Sequence, residues 1–276
     1  MKKTLSFFSF LLVLLSAQAQ QHSLVKIWET DTVLKVPESV LPDYKNKVLY
    51  VSNIDGLDPW GKDNKGSIAK VGMDGKIIAV DWVRGLNCPK GMGLYKGMLY
   101  VADLNEIAVI DVEKSELKRR IPVPYAERLN DITIDPRGNI YVSDSKGNRV
   151  YVVKGNDATP YLENLQGPNG VFWYRDNLYL LDKGTLFKVE YDRKLTKLAE
   201  GIEGGSDGLD AASPKEFIAS GWAGIIYYIY PDGFKETLLD TRGEKMNTAD
   251  IVFDPVSRII YVPTFWKNKV VAYELK

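Results

Sequence analysis

The stretch Leu49-Tyr50-Val51-Ser52 recurs along the chain as Leu99-Tyr100-Val101-Ala102, Ile140-Tyr141-Val142-Ser143 and Leu178-Tyr179-Leu180-Leu181. Two variants follow, at Phe217-Ile218-Ala219-Ser220 and Ile260-Tyr261-Val262-Pro263. Counted from the aromatic residue of each stretch, the spacings are 50, 41, 38, 38 and 44 residues. Six units of about 43 residues have the period of propeller blades that are each built from four strands.

The sequence around these marker strands predicts further short strands separated by tight turns, such as Asp135-Pro136-Arg137-Gly138. We therefore predict an all-β fold, a six-bladed β-propeller of four-stranded antiparallel blades. Seven blades or an open sandwich are the alternatives. A closed ring needs a clasp, so the N-terminal strand from Leu24 to Trp28 is expected to pair with the last blade near Val270 to Leu275.

The N-terminus has the pattern of a secretory signal peptide. Lys2 and Lys3 precede an apolar run from Leu5 to Leu15, and Ala17-Gln18-Ala19 follows. We predict cleavage after Ala19, which makes residues 1–19 the signal peptide and residues 20–276 a single propeller domain. The protein is then expected in the periplasm or outside the cell. A membrane anchor is the alternative, although the run is short for a transmembrane helix.

Composition excludes several classes of function. The 276 residues carry 36 Lys and Arg against 36 Asp and Glu, so no basic surface for nucleic acid or an anionic membrane is expected. The only cysteine is Cys88, and the only histidine is His22 near the N-terminus. A disulfide framework and a Cys-rich zinc site are therefore excluded, and catalysis is expected to run without a histidine base. We expect a monomer that acts on a small molecule.

A polar residue precedes each marker by 10 to 12 positions, at the predicted start of the innermost strand. These six residues are Glu38, Lys90, Asp131, Asn169, Asp207 and Asp250. Because the innermost strands of a propeller line its central channel, the six side chains are expected to face one another near one mouth. We refer to them as the ring residues.

Four acids in a channel repel one another unless they are protonated, paired with Lys90 or neutralised by a bound cation. Oxygen donors without nitrogen or sulfur partners favour a hard divalent cation, Ca2+ first, with Mg2+, Mn2+ or Zn2+ as alternatives. In the alternative interpretation, these polar side chains cap turns and bind backbone groups where the blades begin.

These motifs resemble the SMP-30/gluconolactonase-like family of six-bladed propellers, over the whole chain after the signal peptide. The resemblance implies one divalent cation held by Glu38, by Asn169 of Pro168-Asn169-Gly170 and by Asp207 of Asp207-Gly208. It also implies that Asn130-Asp131 lies beside the substrate. The sequence departs from the family at Glu38, which precedes Ser39-Val40 where family members have Gly-Pro.

The resemblance implies metal-dependent hydrolysis of a sugar lactone or related ester. In that reaction Asp207 or Asp131 would accept a proton from water, and Lys90 and Asn130 would contact the substrate. Three tryptophans on loops at the same mouth, Trp60, Trp222 and Trp266, are candidates for stacking on a sugar ring. The alternatives are a salt bridge from Lys90 to Asp131 or Asp250, and packing between blades for each tryptophan.

A second function class remains open, because Asp144-Ser145-Lys146-Gly147-Asn148-Arg149-Val150 also resembles an NHL repeat. NHL propellers are often binding modules without chemistry, and a cation in such a module would be structural. A strictosidine-synthase-type enzyme shares the architecture, but we find no equivalent of its glutamate.

Overall fold

The computed structural model describes residues 22–276, and the predicted signal peptide lies outside that range. Six four-stranded sheets follow one another around a ring. No helix in the described part of the chain is long and apolar enough to cross a lipid bilayer. The predicted six-bladed propeller is confirmed.

Each of the first five blades consists of four consecutive antiparallel strands, numbered from the channel outwards. Blade one contains β2 (Pro37–Asp43), β3 (Val48–Asn53), β4 (Gly66–Gly72) and β5 (Ile77–Leu86), and blade two contains β6 (Pro89–Tyr95), β7 (Met98–Asp103), β8 (Glu106–Asp111) and β9 (Glu116–Pro122). Blade three contains β10 (Leu129–Ile134), β11 (Ile140–Asp144), β12 (Arg149–Lys154) and β13 (Asp157–Leu162), and blade four contains β14 (Pro168–Tyr174), β15 (Asn177–Asp182), β16 (Thr185–Val189) and β17 (Leu195–Glu200). Blade five contains β18 (Ser206–Ser213), β19 (Glu216–Gly221), β20 (Ile225–Ile229) and β21 (Lys235–Asp240).

The sixth blade is assembled from both ends of the described chain. Its inner strands are β22 (Val252–Asp254), β23 (Ile259–Pro263) and β24 (Val270–Leu275), and β1 (Leu24–Glu29) pairs antiparallel with β24 from outside. Leu24 lies opposite Leu275 and Glu29 opposite Val271. The predicted clasp is therefore confirmed: β1 covers the edge that β24 would otherwise expose.

The marker strands are the second strands of the six blades, and their alternating side chains fill both gaps beside a blade. In β3, Tyr50 belongs to the apolar cluster shared with blade two, whereas Leu49 and Val51 belong to the cluster shared with blade six. All three side chains are completely buried. A strand buried on both faces explains why the markers are continuously apolar and lack the alternation of a half-exposed strand.

Irregularities in the innermost strands recur at the ring residues. The pairing of β2 with β3, β10 with β11 and β18 with β19 shifts register just where Glu38, Asp131 and Asp207 lie. A bulge frees a backbone N–H and re-aims the neighbouring side chain. The serines that end the marker motif accept these N–H groups: Ser52 from Ser39, Ser143 from Asp131, and Ser220 from Gly208, at 2.9 to 3.0 Å.

Candidate functional site

The ring residues converge at one mouth of the channel, as the sequence predicts. The side chains of Glu38, Lys90, Asp131 and Asp207 are each buried to more than nine-tenths, and Asn169 and Asp250 are partly buried. Burial together with the charge of Glu38 raises the pKa of Asp207, and burial together with the charge of Asp250 raises the pKa of Asp131. Both rises follow from crowding several acids into one buried channel.

Glycine follows several ring residues because neighbouring inner strands approach closely there. A Cβ atom on Gly91 would lie 2.5 Å from Asp131 Oδ1, and one on Gly208 would lie 2.4 Å from the backbone nitrogen of Ile251. Real Cβ atoms do not approach other atoms so closely. The Lys90-Gly91 and Asp207-Gly208 pairs in the sequence therefore reflect the narrowness of the ring.

The predicted cation ligands lie together, and two of their oxygen atoms lack a hydrogen-bond donor. The Asn169 side chain lies beside Asp207 and lowers the pKa of that carboxyl, against the effect of burial. Among residues 22–276, the buried side-chain atoms without a hydrogen-bond partner are Glu38 Oε2, Asn169 Oδ1 and Trp173 Nε1. Two of these three are oxygens of predicted cation ligands. A buried acceptor without a donor is costly, and a bound cation would remove that cost.

Lys90 already neutralises part of the ring. Its Nζ lies 3.2 Å from Glu38 Oε1, and both side chains are almost fully buried. Burial raises the pKa of Glu38, and the Lys90 charge opposes that rise. Lys90 therefore forms a salt bridge within the ring, but its partner is Glu38 and not Asp131 or Asp250, as the alternative interpretation had it.

The predicted ligands Glu38, Asn169 and Asp207 offer the oxygen donors that a hard cation prefers. No group of three or more His, Cys, Asp or Glu side chains in the described range has the arrangement of a metal site. The predicted set is not such a group, because it combines two acids with one amide, Asn169. Its oxygen-only donors and its two unpartnered oxygens suit Ca2+ better than zinc.

Asp131 and Asp250 make bonds that hold neighbouring blades together. Asp131 accepts the N–H of Ile132 at 2.7 Å and that of Val171, in the next blade, at 2.8 Å. Asp250 accepts the hydroxyl proton of Ser39. Both bonds to Asp131 are of the kind expected from the alternative structural interpretation, so Asp207 is the better placed of the two predicted bases.

Trp60 covers the ring at its mouth. Lys90 Nζ lies 4.3 Å from the centre of the Trp60 ring, and the guanidinium of the exposed Arg128 lies 5.1 Å from it. The loop that carries Trp60 is held from below, since the Cys88 thiol donates to the carbonyl of Gly61 at 3.0 Å. Burial raises the pKa of Cys88 to about 12, so this thiol remains protonated and unreactive.

The other predicted substrate contacts surround the same mouth. Trp222 and Trp266 are 39% and 41% exposed and pack edge-on against Phe265, with ring centres 5.4 and 4.8 Å apart. Asn130 donates to the hydroxyl of Ser145 at 3.1 Å. The partly exposed indoles remain candidates for ligand contact, and their role in binding stays a prediction.

Sequence reasoning missed Asp210, which lies deeper in the channel. It lines a cavity of about 200 Å3 together with Asp131 and Asp250. Its carboxylate accepts the N–H groups of Ala211 at 2.7 Å and Phe253 at 2.8 Å, and burial raises its pKa to about 7. The sequence offered one signal for this residue: a single acid between Leu209 and Ala211, within a predicted inner strand that faces the channel.

The buried channel acids are expected to make the protein less stable as pH rises. Asp210 stays protonated in the folded state up to about pH 7 but ionises near 3.8 when unfolded, so the folded state binds more protons between those values. Asp210 therefore contributes up to about 4 kcal/mol to the free energy of unfolding below pH 4, and this contribution is lost by pH 7 to 8. Asp250, with a pKa of about 8, extends the loss upwards.

This prediction is checked by urea unfolding of the chelated protein from pH 4 to 8.5. As pH rises, the free energy of unfolding of Asp210→Asn should increase relative to that of wild type. Asp176→Asn, at an exposed turn, is the control and should give a curve parallel to wild type. Parallel curves for Asp210→Asn would contradict the prediction.

No protein-family model matches the chain, and no curated protein matches it. Solved structures are similar in fold. A putative gluconolactonase has a TM-score of 0.69 and 15% identity, with 93% of each chain covered. A streptogramin B lyase has a TM-score of 0.68 and 11% identity, covering 92% of this chain and 98% of its own. A catalytically inactive histidine-to-alanine variant of virginiamycin B lyase from Staphylococcus aureus, with quinupristin, has a TM-score of 0.63 and 13% identity, covering 93% and 99%. At these identities, the similarity establishes a shared propeller fold with both gluconolactonase and lyase structures.

Proposed function

We propose that this protein is an exported, divalent-cation-dependent hydrolase of a sugar lactone or related ester, with the ring as its active site. The observation that carries the proposal is the pair of buried acceptors without donors, Glu38 Oε2 and Asn169 Oδ1, next to Asp207. Glu38, Asn169 and Asp207 would hold the cation, with Ca2+ favoured. The fold shared with a putative gluconolactonase supports the same reaction class.

Each part of the ring has a role in the proposed reaction. A cation bound there supplies Lewis-acid polarisation of the ester carbonyl. Asp207 would accept the proton of the attacking water, since its carboxylate lies beside the predicted cation ligands; in the cation-free ring, burial and the charge of Glu38 raise the pKa of this carboxyl. Lys90 donates to a substrate oxygen, and Trp60 above it excludes water and offers a face for the sugar ring.

The histidine that is replaced in the inactive lyase variant has no counterpart among the ring residues. The single histidine, His22, stacks on Tyr228 at 4.0 Å and contacts Glu236 in the outer strands of blade five. It is therefore remote from the channel, which the inner strands line.

The Lys90–Glu38 ion pair favours a second candidate, a non-catalytic NHL-like binding module. Because the ammonium group of Lys90 already neutralises one of the ring acids, less negative charge remains for a metal ion to neutralise. In that case the mouth around Trp60 would still bind a small ligand, and any divalent cation would be structural.

Metal analysis coupled to a lactone screen tests the proposal. The purified protein is expected to carry one divalent cation per chain and to hydrolyse at least one sugar lactone. Removing the cation with EDTA should lower the rate by about a hundredfold or more, and adding Ca2+ should restore it. Hydrolysis that survives EDTA would overturn the metal-dependent reaction, and saturable lactone binding without turnover would favour the binding module.

A further inference from the structure

A second cavity lies at the opposite end of the blades from the ring. Its volume is about 420 Å3, and it opens between the turns of blades three and four that follow β10, β12, β14 and β16. The ring residue Asp131 lies near the start of β10, whereas the cavity begins at its far end, with Asp135. We call this cavity the lower cleft.

Aromatic rings form the wall of the lower cleft. Tyr141 stacks on Trp173 with ring centres 5.4 Å apart and planes 12° from parallel, and Tyr161 meets Tyr141 edge-on at 5.1 Å. Tyr191 is fully exposed at the rim. The indole nitrogen of Trp173 is buried without an acceptor. Trp173 lines the cavity, and a ligand oxygen that reached this buried N–H would satisfy it.

The lower cleft carries an excess of unpaired positive charge. Arg137, Lys154 and Arg193 line it, and within residues 22–276 none of the three forms an ion pair. The Arg193 guanidinium lies 4.8 Å from the centre of the Tyr161 ring. Two acids also line the cleft, Asp135 and the exposed Asp176.

Asp135 is fully engaged in its own turn. Its carboxylate accepts the backbone N–H groups of Arg137 and Asn139 and the side-chain amide of Asn139, at 2.6 to 2.9 Å. Its hydrogen bonds leave it little capacity to bind a ligand, and the three cations that line the cleft outnumber its two acids. A ligand that carries negative charge is favoured.

We propose that the lower cleft binds an acidic sugar, that is, a sugar ring bearing a carboxylate. The apolar face of the ring would lie against the tyrosines, the carboxylate would pair with Arg193, and a hydroxyl oxygen would accept the Trp173 N–H. A free inorganic anion would use the charge but not the aromatic wall, and a neutral sugar would use the wall but not the charge. The proposal is independent of the chemistry at the ring.

Calorimetric titration of the full chain with D-glucuronate, D-glucose and inorganic phosphate tests this proposal. Glucuronate is expected to saturate one site, and glucose and phosphate should each bind at least about tenfold more weakly. Arg193→Ala should weaken glucuronate binding by about tenfold, because a charge-assisted hydrogen bond is lost. Trp173→Phe, which keeps an aromatic ring but removes the N–H, should weaken it severalfold.

Two variants serve as controls. Arg175→Ala removes an exposed arginine that lies over Tyr174 in a neighbouring turn and should leave binding unchanged. Asp207→Asn, at the ring, should also leave it unchanged. Arg193 is exposed, so its replacement tests binding without disturbing the fold. Absence of saturable glucuronate binding, equal affinity for phosphate, or wild-type affinity in Arg193→Ala would overturn the proposal.

Discussion

Replacing Asp207 by asparagine is expected to lower lactone hydrolysis by about a thousandfold, because the variant loses the base and one charge of the cation site. The substitution keeps the size of the side chain, so the channel should keep its shape. It also removes a buried charge that repels Glu38 and Asp250. The chelated variant is therefore expected to be at least as stable as wild type above pH 7, when Asp250 begins to ionise.

Rates with and without Ca2+, together with urea unfolding at pH 8, measure both effects. Asp250→Asn is the matched control, since it removes another ring acid, one that is not in the predicted ligand set. The control should keep most of the hydrolysis and the Ca2+ dependence. An Asp207→Asn variant that hydrolyses the same lactone within tenfold of wild type would show that the base lies elsewhere.

Replacing Lys90 by methionine is expected to destabilise the chelated protein by about 3–5 kcal/mol at pH 8, because Glu38 keeps its buried charge but loses its partner. The loss should shrink near pH 5, since burial raises the pKa of Glu38 and favours its neutral form at lower pH. Saturating Ca2+ should restore part of the stability if Glu38 is a cation ligand.

Denaturant unfolding of three variants separates these effects. Lys35→Met is the control, because Lys35 pairs with Asp55 and Asp81 where its side chain is 37% exposed, and its loss should cost about 1 kcal/mol or less. The double variant Glu38→Gln with Lys90→Met should recover most of the lost stability. A Lys90→Met loss as small as that of Lys35→Met would mean that the ion pair does not neutralise the ring.

The fold could be predicted because blade geometry leaves a regular trace in the sequence. Every blade places a largely buried second strand at the same position, so the six aromatic markers, Tyr50, Tyr141 and Tyr261 among them, recur every 38 to 50 residues. The inner strand starts ten to twelve residues earlier, which is why the sequence pattern alone assigns Glu38 and Asp207 to the channel. The number of blades and the position of the channel residues both follow from the lengths of strands that are adjacent in the sequence.

Other features depend on contacts between different blades and could not be predicted. From the sequence, any of the four ring acids could pair with Lys90, and only the three-dimensional arrangement shows that Glu38 does. Likewise, the use of Asp131 to hold Val171 depends on which N–H the next blade leaves unpaired. The lower cleft combines turns from four different loops of two blades, and no motif marks it.

The sequence by itself determined the number of blades, the clasp of the N-terminal strand on the last strand and six of the polar residues that face the channel, because each follows from strand periodicity along the chain. Only the tertiary structure decided which of those residues neutralise one another, which oxygens remain without a donor and where a second cavity opens. Those outcomes depend on distances of a few ångströms between separate blades, and electrostatic and hydrogen-bond energies change steeply over such distances.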